Sequence, residues 1–330
     1  MFKRVYMTLL SNTAYLPGTL ILYHSLQATK PKYPLIVLIT PALPEDSKQM
    51  LERSGIETLL IDRFAPPVNR FDPSKTFARF ADIWTKVGVF GLEQFEKIVF
   101  LDSDMLVLKN IDELFDLPIT TNQVAAVYAC TCNPFKIQFY PKDWIPANCG
   151  YSQPNYPECL KEPRDPSIPR PRTHSLLNSG MFLCRPSKEL LGRMRKMLDT
   201  SPLVPTWKFC DQDLIGNFFG GGGSKDPSDW GEITKEELGD QWLPVPYYFN
   251  ALKPLRKTHA SFWRDEDIRV VHYILDDKPW KDRPTDDESY EEVKRWWWKS
   301  YETFVEDLRC TGRHDDISFV EGLVGEKILG

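Results

Sequence analysis

Short apolar segments alternate with segments of helical spacing in the N-terminal part of the chain, and this alternation constrains the fold more than any other feature. Apolar, β-branched strands are predicted at 5–10, 35–40 and 58–61, with helices at 19–27 and 47–53 between them. A helix that joins two consecutive strands is the usual crossover of a parallel sheet. The pattern therefore predicts an α/β fold with a single mostly parallel, twisted, Rossmann-like sheet flanked by helices.

The rest of the chain adds further elements and two irregular stretches. The additional strands are predicted at 97–101, 105–108, 181–184 and 269–273, and the additional helices at 77–95, 187–198 and 290–308. Residues 141–172, rich in proline and tyrosine, predict an irregular excursion. The glycine run in 220–240 predicts a flexible insertion, because it lacks the Gly-Lys-Ser or Gly-Lys-Thr ending and the preceding strand of a phosphate-binding loop. We expect one domain over 1–284 and a tryptophan-rich helix with a tail over 285–330.

Three consecutive tryptophans, Trp296, Trp297 and Trp298, lie inside the last predicted helix. Successive residues of a helix point in different directions, so these side chains cannot all face one partner. The ordinary interpretation is packing into the core. A platform on which a sugar stacks, or a membrane contact, is the less favoured alternative.

Composition excludes some classes of function. The 330 residues carry a formal net charge of -5, which argues against a nucleic-acid partner but not against nucleotides, since a bound metal supplies positive charge locally. The apolar run at 5–10 is too short for a signal peptide, and no segment is long enough for stable membrane insertion. None of the 7 cysteines forms a CxxC pair, so we interpret them as reduced thiols of a soluble, cytoplasmic protein.

The acidic motif Asp102-Ser103-Asp104 follows the predicted strand 97–101 directly. Ligand sites of open parallel sheets lie beyond the carboxyl ends of the strands, so the motif is well placed for a site. Two carboxylates one residue apart can bind one hard cation that also takes diphosphate oxygens. Such acidic pairs are also common in ordinary turns, so the motif alone is a weak signal.

His272 ends the predicted strand 269–273 and has two interpretations. A lone histidine of this kind is most often a hydrogen-bonded core residue, and a metal ligand is the sharper alternative. Lys278 follows one short loop later and could hold a diphosphate as a point charge. A mixed oxygen and imidazole shell favours Mn²⁺, with Mg²⁺ as the second choice.

Five segments together resemble a known family. They are 5–15, FLDSDMLVLKNIDELF at 100–115, LNSGMFLCRPS at 177–187, 210–219 and VVHYILDDKPW at 270–280. In this order they resemble glycosyltransferase family 8, in particular its glycogenin and galactinol synthase branch. The resemblance implies a GT-A fold, a UDP-sugar donor, manganese, and transfer with retention of anomeric configuration. It also implies a homodimer as one form of assembly, because family members are often dimers.

The resemblance implies a role for individual residues of these motifs. Asp102, Asp104 and His272 resemble the metal ligands, and Lys278 the diphosphate lysine. The remaining donor contacts implied by the motifs are Thr8, Leu9, Asn12 and Tyr15 for the uridine, Arg79, Lys86 and Ser103 near the phosphates and sugar, and Asn178, Ser179 and Gly180 in a donor-sugar loop.

Asp211 and Gln212 resemble the family's Asp-Gln pair beside the anomeric carbon, and with Lys86 they are the implied catalytic residues. The ordinary interpretation of Asp211 is a carboxylate at the start of a helix, a role that Asp213 could fill equally well. The glycine that follows the metal histidine in glycogenin-like sequences is Leu275 here, a departure from the family pattern.

The acceptor is the least determined part of the function. The acceptor tyrosine of glycogenin has no counterpart between Tyr248 and Tyr273, and the Cys-Thr-Cys segment at 130–132 is similar to galactinol synthases. We therefore expect transfer of galactose or glucose to a small polyol or saccharide. The alternatives are a self-glycosylating primer that uses Tyr140, Tyr151 or Tyr156, and a non-catalytic binder of UDP-sugars.

Overall fold

The computed structural model describes residues 3–67, 70, 83–161, 170–220, 231–240, 242–284 and 291–325. Arg79, residues 162–169 of the predicted excursion and 221–230 of the predicted insertion lie outside these ranges. The strands are β1 (Arg4–Leu10), β2 (Leu35–Ile39), β3 (Glu57–Leu60), β4 (Lys97–Leu101), β5 (Met105–Val107), β6 (Val124–Tyr128), β7 (Leu177–Cys184), β8 (Leu243–Pro244), β9 (Ala251–Leu252) and β10 (Val270–His272). The helices are α1 (Leu16–Ala28), α2 (Glu45–Arg53), α3 (Lys188–Thr200), α4 (Asp211–Gly220), α5 (Leu255–Thr258), α6 (Glu291–Cys310) and α7 (His314–Glu321).

The main sheet has seven strands in the order β3-β2-β1-β4-β7-β6-β8. β1 pairs in parallel with β2, and β2 with β3, while β6 pairs antiparallel with β7 and in parallel with β8. Every residue of β2, β4 and β6 is buried, as expected for strands covered on both faces. The predicted α/β fold with a mostly parallel sheet flanked by helices is confirmed.

A second sheet of three strands, in the order β5-β10-β9, was not foreseen from the sequence. β10 pairs antiparallel with β5 and in parallel with β9. These strands are two or three residues long, too short for a periodic apolar pattern to reveal their pairing. This small sheet positions the predicted metal ligands.

The chain forms two compact units. The first comprises Met1–Val5, Ile61–Phe100 and Glu113–Tyr247, and the second comprises Tyr6–Leu60, Leu101–Asp112 and Tyr248–Gly330. The acidic motif and His272 belong to the second unit, whereas Lys86 and Asp211 belong to the first. The two sets of side chains are described separately below. The boundary between 284 and 285 stays a prediction.

Three predicted boundaries differ from the structure. Helix α1 begins at Leu16 rather than at residue 19, since Pro17 fits the first helical turn, where no backbone N–H is needed. Residues 83–91 form a 3₁₀-helix where an α-helix was predicted, and Gly88 and Gly91 disfavour the α-helical form. β7 begins at Leu177 and therefore includes the residues predicted to form the donor-sugar loop.

Two of the three tryptophans of α6 pack into the core, as the ordinary interpretation of the sequence predicts, whereas Trp296 is half-buried and its indole N–H donates to Glu292 at 3.1 Å. Trp297 is fully buried and Trp298 nearly so, and the indole N–H of Trp298 donates to the carbonyl oxygen of Pro279 at 2.9 Å. Trp297 also stacks on Tyr301 with ring centroids 5.4 Å apart. Over the described residues, no helix combines the length and the apolar character that crossing a bilayer requires.

Candidate active site

The pairing of β5 with β10 brings the predicted metal ligands of the second unit together. Met105, which follows the acidic motif, lies opposite His272 in the antiparallel ladder. One step beyond, the backbone N–H of Tyr273 donates to the carbonyl oxygen of Asp104 at 3.0 Å. The ladder therefore sets the histidine beside the motif, although the two are far apart in the sequence.

The imidazole of His272 faces both carboxylates. Its Nε2 atom lies 3.3 Å from Oδ1 of Asp104 and 3.8 Å from Oδ2 of Asp102. Its Nδ1 atom lies 3.0 Å from Oδ1 of Asn250, a fully buried residue at the start of β9. Because a carboxamide oxygen only accepts, this contact requires a proton on Nδ1 and leaves Nε2 as the atom that can coordinate a cation.

These three side chains form a donor set that suits a divalent cation. One ligand atom from each of Asp102, Asp104 and His272 lies within 4.8 Å of the others. Carboxylate oxygens with one imidazole nitrogen accommodate manganese more readily than magnesium, which prefers an all-oxygen shell. The residues therefore fit the ion that the family resemblance implies.

Lys278 lies against one of these carboxylates, that of Asp104. Its buried ammonium group forms an ion pair with Oδ2 of Asp104 and donates to the carbonyl oxygen of Tyr273 at 2.8 Å. Burial by itself raises the pKa of Asp104, but Lys278 and His272 outweigh it and hold that pKa well below its usual range. The carboxylate is consequently ionised and ready to bind a cation at neutral pH.

The loop from His272 to Lys278 contains a backbone conformation that favours glycine. Leu275, at the position where glycogenin-like sequences carry glycine, has a φ of 74°. A left-handed conformation costs a residue with a Cβ atom about 1–2 kcal/mol. Leu275 thus adopts a conformation that glycine would adopt at a lower cost.

Gly18 provides the close approach on which the acidic motif rests. A Cβ atom built on this helix residue would overlap the carbonyl oxygen of Ser103 and lie 2.8 Å from the ring of Trp280. The indole N–H of Trp280 donates to the carbonyl oxygen of Ala14 at 3.1 Å. Helix α1, the motif and Trp280 are therefore packed without room for an added methyl group.

Tyr15 lies beside this packed group. Its ring meets that of Trp280 edge to face, with centroids 5.7 Å apart, and the ammonium of Lys278 lies 5.8 Å from the ring centroid of Tyr15. Asn12 caps the short turn that carries Tyr15, since its side chain accepts from the backbone N–H of Ala14 at 2.9 Å. The predicted uridine residue and the predicted diphosphate lysine are therefore neighbours.

The remaining uridine residues are on β1. Thr8 is fully buried, and its hydroxyl group has no hydrogen-bond partner within the described part of the chain. Leu9 is half-buried. A buried hydroxyl without a partner is unfavourable, so a polar ligand group that reached it would gain a hydrogen bond.

In the first unit, Lys86 and Asp211 form a buried ion pair. The ammonium of Lys86 lies 2.8 Å from Oδ2 of Asp211, and the two side chains are 1% and 3% exposed. The hydroxyl of Ser179 donates to the same carboxylate oxygen at 2.6 Å, and Lys86 also donates to the carbonyl oxygen of Ser179 at 3.2 Å. Asp211 is thus held from β7 and from the 3₁₀-helix that carries Lys86.

Gln212 is held by the start of β7. The side-chain amide of Asn178 donates to Oε1 of Gln212 at 3.1 Å, and the backbone N–H of Ser179 does so at 3.4 Å. The backbone N–H of Gly180 donates in turn to the side-chain oxygen of Asn178 at 3.1 Å. Asn178, Ser179 and Gly180 form part of β7, where a loop had been predicted. The pairing of β6 with β7 shifts register beside Asn178.

Asp213 serves the start of α4, which frees Asp211 for another role. Oδ2 of Asp213 accepts the backbone N–H groups of Lys208 and Phe209, each at 2.8 Å. Burial raises the pKa of Asp213 to about 6, against the lowering effect of these two hydrogen bonds. Of the two interpretations that the sequence allowed for Asp211, the helix-start role therefore belongs to its neighbour.

Comparison with known proteins identifies the family. The model of glycosyl transferase family 8 matches residues 6–283 of the chain. The chain belongs to glycosyltransferase family 8. The match spans all the residues of both groups of side chains described above, and the family together with the relatives named below supports a hexosyltransferase.

Curated relatives lie in the galactinol synthase branch of family 8. Galactinol synthase 2 of Arabidopsis thaliana is 28% identical over 305 residues, which cover 89% of this chain and 80% of that protein. Galactinol synthase 1 of Solanum lycopersicum is 28% identical over 315 residues, which cover 93% and 84%. The branch predicted from the motifs is confirmed.

Solved structures share the fold. The glycosyltransferase GlyE of Streptococcus pneumoniae TIGR4 matches with a TM-score of 0.52 and 15% identity, and the alignment covers 94% of this chain and 65% of that one. The galactosyltransferase LgtC, solved with donor and acceptor sugar analogues, matches with a TM-score of 0.51 and 16% identity over 90% and 96% of the two chains. These enzymes have the GT-A fold, which confirms the predicted fold class.

Three positioning residues escaped the sequence analysis. Asn250 orients the imidazole of His272, and Gly18 and Trp280 form the packed support of the acidic motif. A tyrosine, a phenylalanine and Asn250 follow each other in the sequence, but nothing in that order indicates that the amide faces a histidine. Their roles follow from tertiary contacts alone.

Proposed function

We propose that the protein transfers a hexose, galactose or glucose, from a UDP-sugar to a hydroxyl group of a small polyol or saccharide, with retention of anomeric configuration. The observation that carries the proposal is the convergence of Asp102, Asp104 and His272, with Lys278 on the carboxylate of Asp104. The names of the relatives, galactinol synthases, support a polyol as the acceptor.

Asp102, Asp104 and His272 would hold Mn²⁺, or Mg²⁺ as the second choice. A bound divalent ion neutralises the negative charge that grows on a departing nucleoside diphosphate. Lys278 adds a buried positive charge for the diphosphate oxygens. Asn250 keeps the imidazole in the tautomer that can coordinate.

The nucleoside half of the donor would lie on the start of α1. Tyr15 offers an aromatic face for the uracil base, and Asn12 fixes the turn that presents this ring. The unpartnered hydroxyl of Thr8 offers a hydrogen bond to a polar base edge. Loss of the base contact should therefore weaken donor binding more than catalysis.

For the sugar we propose roles for Asp211 and Gln212. A carboxylate held by Ser179 and Lys86 in a buried setting can stabilise positive charge at an anomeric carbon. Gln212 and Asn178 form a hydrogen-bonded pair whose amide groups can instead form hydrogen bonds with sugar hydroxyl groups. The same positions would distinguish galactose from glucose, which differ at one hydroxyl group.

Two of the three candidate tyrosines, Tyr151 and Tyr156, offer little support for self-glycosylation. Tyr151 is 1% exposed and its hydroxyl donates to the carbonyl oxygen of Tyr128 at 2.6 Å. Tyr156 is 8% exposed and its hydroxyl accepts the backbone N–H of Tyr247 at 3.0 Å. Burial raises the pKa of both phenols well above the ordinary value, so neither is a ready acceptor.

The test is an assay of the full chain with Mn²⁺ against a panel of UDP-sugars and acceptors, including myo-inositol. Mass spectrometry of the small molecules should show one hexose added to the acceptor, and NMR of the product should show the anomeric configuration of the donor. Intact mass of the protein is recorded in the same reactions. A gain of hexose by the protein, with no acceptor product, would contradict the proposal.

A further inference from the structure

Three cysteines of the first unit converge at a place that the transfer reaction does not use. Cys130 and Cys132 follow β6, and Cys149 comes from the irregular segment that extends to residue 161. Their sulfur atoms all lie within 4.8 Å of one another. Hydrogen bonds link the thiol of Cys130 with those of the other two. The spacing of these residues in the sequence concealed the cluster, because none forms a CxxC pair.

The cluster is shielded from solvent. Cys149 is fully buried, Cys132 is 8% exposed and Cys130 is half-buried. Sulfur ligands of a tetrahedral Zn²⁺ ion at about 2.3 Å from the metal lie about 3.8 Å from one another. The thiols can therefore reach that geometry through side-chain rotations alone.

The backbone around the cluster is fixed by packing. A Cβ atom built on Gly150 would come within 2.7 Å of the ring of Tyr128, so the residue after Cys149 lies directly on the end of β6. The hydroxyl of Tyr151 donates to the carbonyl oxygen of Tyr128, which ties the same two segments together. The approach of Cys149 to the other two thiols is thus built into the fold.

We infer that Cys130, Cys132 and Cys149 bind a thiophilic d¹⁰ cation, Zn²⁺, at a site separate in ligand chemistry from the carboxylate and histidine set. Thiolates are soft ligands that favour zinc over manganese, whereas carboxylates also suit hard cations such as manganese. On binding, each thiol releases its proton to solvent and forms a sulfur–zinc bond, so no oxidant or reductant is needed. All three sulfur atoms are used at once, whereas a disulfide would use only two.

The inferred role of the ion is structural. Residues 129–161 contain 3₁₀ turns but neither a strand nor an α-helix in the part described. A segment without the regular backbone hydrogen bonds of a strand or an α-helix depends on other cross-links, and a thiolate-bound zinc ion supplies one directly. Removal of the ion should therefore loosen this segment first.

The experiment measures zinc in the full chain, expressed with added zinc and dialysed against zinc-free buffer. Wild-type protein should retain about one zinc per chain, and Cys149→Ser and Cys130→Ser should lose it. Cys184→Ser, a buried cysteine of β7 outside the cluster, and Asp104→Asn should retain it. X-ray absorption at the zinc edge should count three sulfur ligands at about 2.3 Å.

A second measurement does not depend on the folding of any variant. Co²⁺ added to the metal-free wild-type chain should give thiolate-to-cobalt charge-transfer absorption, and zinc should abolish it. Limited proteolysis should cut within 129–161 faster after chelation than before. The inference is overturned if wild-type protein holds no more zinc than Cys149→Ser, if the cobalt absorption is absent, or if the intact mass is lower by two hydrogens, which would indicate a disulfide.

Discussion

The ammonium of Lys86 lies 2.8 Å from the carboxylate of Asp211, and both side chains are almost completely shielded from water. Removal of one member leaves the other as an uncompensated buried charge. We expect Lys86→Met alone to lower the free energy of unfolding by about 3–5 kcal/mol and to abolish transfer. Urea denaturation with an activity assay measures both effects.

The double variant Lys86→Met/Asp211→Leu separates stability from function. Because neither charge remains, it should recover most of the lost stability while staying inactive. Lys188→Ala, which breaks an exposed ion pair with Glu93, is the matched control and should leave stability and activity unchanged. Equal, small effects of Lys86→Met and Lys188→Ala would show that the buried ion pair contributes no more to stability or activity than the exposed one.

Asp104→Asn tests the metal ligands. The substitution keeps the shape of the side chain but removes the charge that binds the cation. We expect transfer to fall by more than about 100-fold, beyond the range typical of residues that only orient a ligand. The rise in Tm that Mn²⁺ and UDP give the wild type should also disappear. Asp116→Asn, on an exposed carboxylate, serves as the control, and a normal Tm shift in Asp104→Asn would refute the assignment.

Asn250→Ala should weaken metal binding without removing a ligand. The change removes the hydrogen-bond acceptor of Nδ1 of His272, so the ring can also adopt the tautomer that is protonated on Nε2 and cannot coordinate the ion there. The Mn²⁺ concentration for half-maximal activity should rise about 10- to 100-fold, while the rate at saturating metal falls less. A lower rate with unchanged metal dependence would instead indicate a purely structural role.

Gly18→Ala and Gly192→Ala are a matched pair of helix substitutions with opposite expectations. A methyl group at Gly18 overlaps the backbone of Ser103, so we expect a loss of about 1–3 kcal/mol and weaker Mn²⁺ binding. At Gly192 in α3, apart from the helix's own backbone and the adjoining residues, no atom of the described residues lies within 4 Å of the added carbon, and we expect a gain of about 0.5–1 kcal/mol. Thermal unfolding with and without Mn²⁺ measures both, and equal effects would contradict the tight packing at Ser103.

Asp213→Asn tests the raised pKa of the carboxyl at the start of α4. A folded-state pKa of about 6, above the ordinary 3.8, means that the protonated form favours folding. Its contribution to stability is therefore complete below pH 4 and is lost as the pH rises to 6, with a slope of at most about 1.4 kcal/mol per pH unit. The amide can still accept the N–H groups of Lys208 and Phe209, so the variant should lack this decline. Urea midpoints of both proteins from pH 4 to 7 decide the matter, and parallel curves would exclude the raised pKa.

The fold was predictable where buried strands are long. β2 is a continuous apolar run and β4 is apolar after Lys97, and the sequence placed both within one residue of their ends. The pairing of β5 with β10 was not predictable, because each is three residues long and their partners are distant in the sequence. Glycosyltransferase family 8 was recognisable because its five motifs keep their order.

The candidate site was predictable as a set of residue types but not as a network of contacts. The sequence indicated Asp104, His272 and Asp211, since each belongs to a motif. It could not show that Asn250 orients His272, or that Asp213 rather than Asp211 serves the helix start, because hydrogen-bond partners depend on the folded backbone. The cysteine cluster was missed for the same reason.

The three-residue ladder between β5 and β10 also has a consequence for biosynthesis. A slip of one residue in its register would turn the imidazole to the opposite face, away from the carboxylates. During synthesis, the growing chain contains Asp102 and Asp104 before His272 has been added. On the proposed assignment of the metal ligands, the ion would therefore be bound only late in maturation.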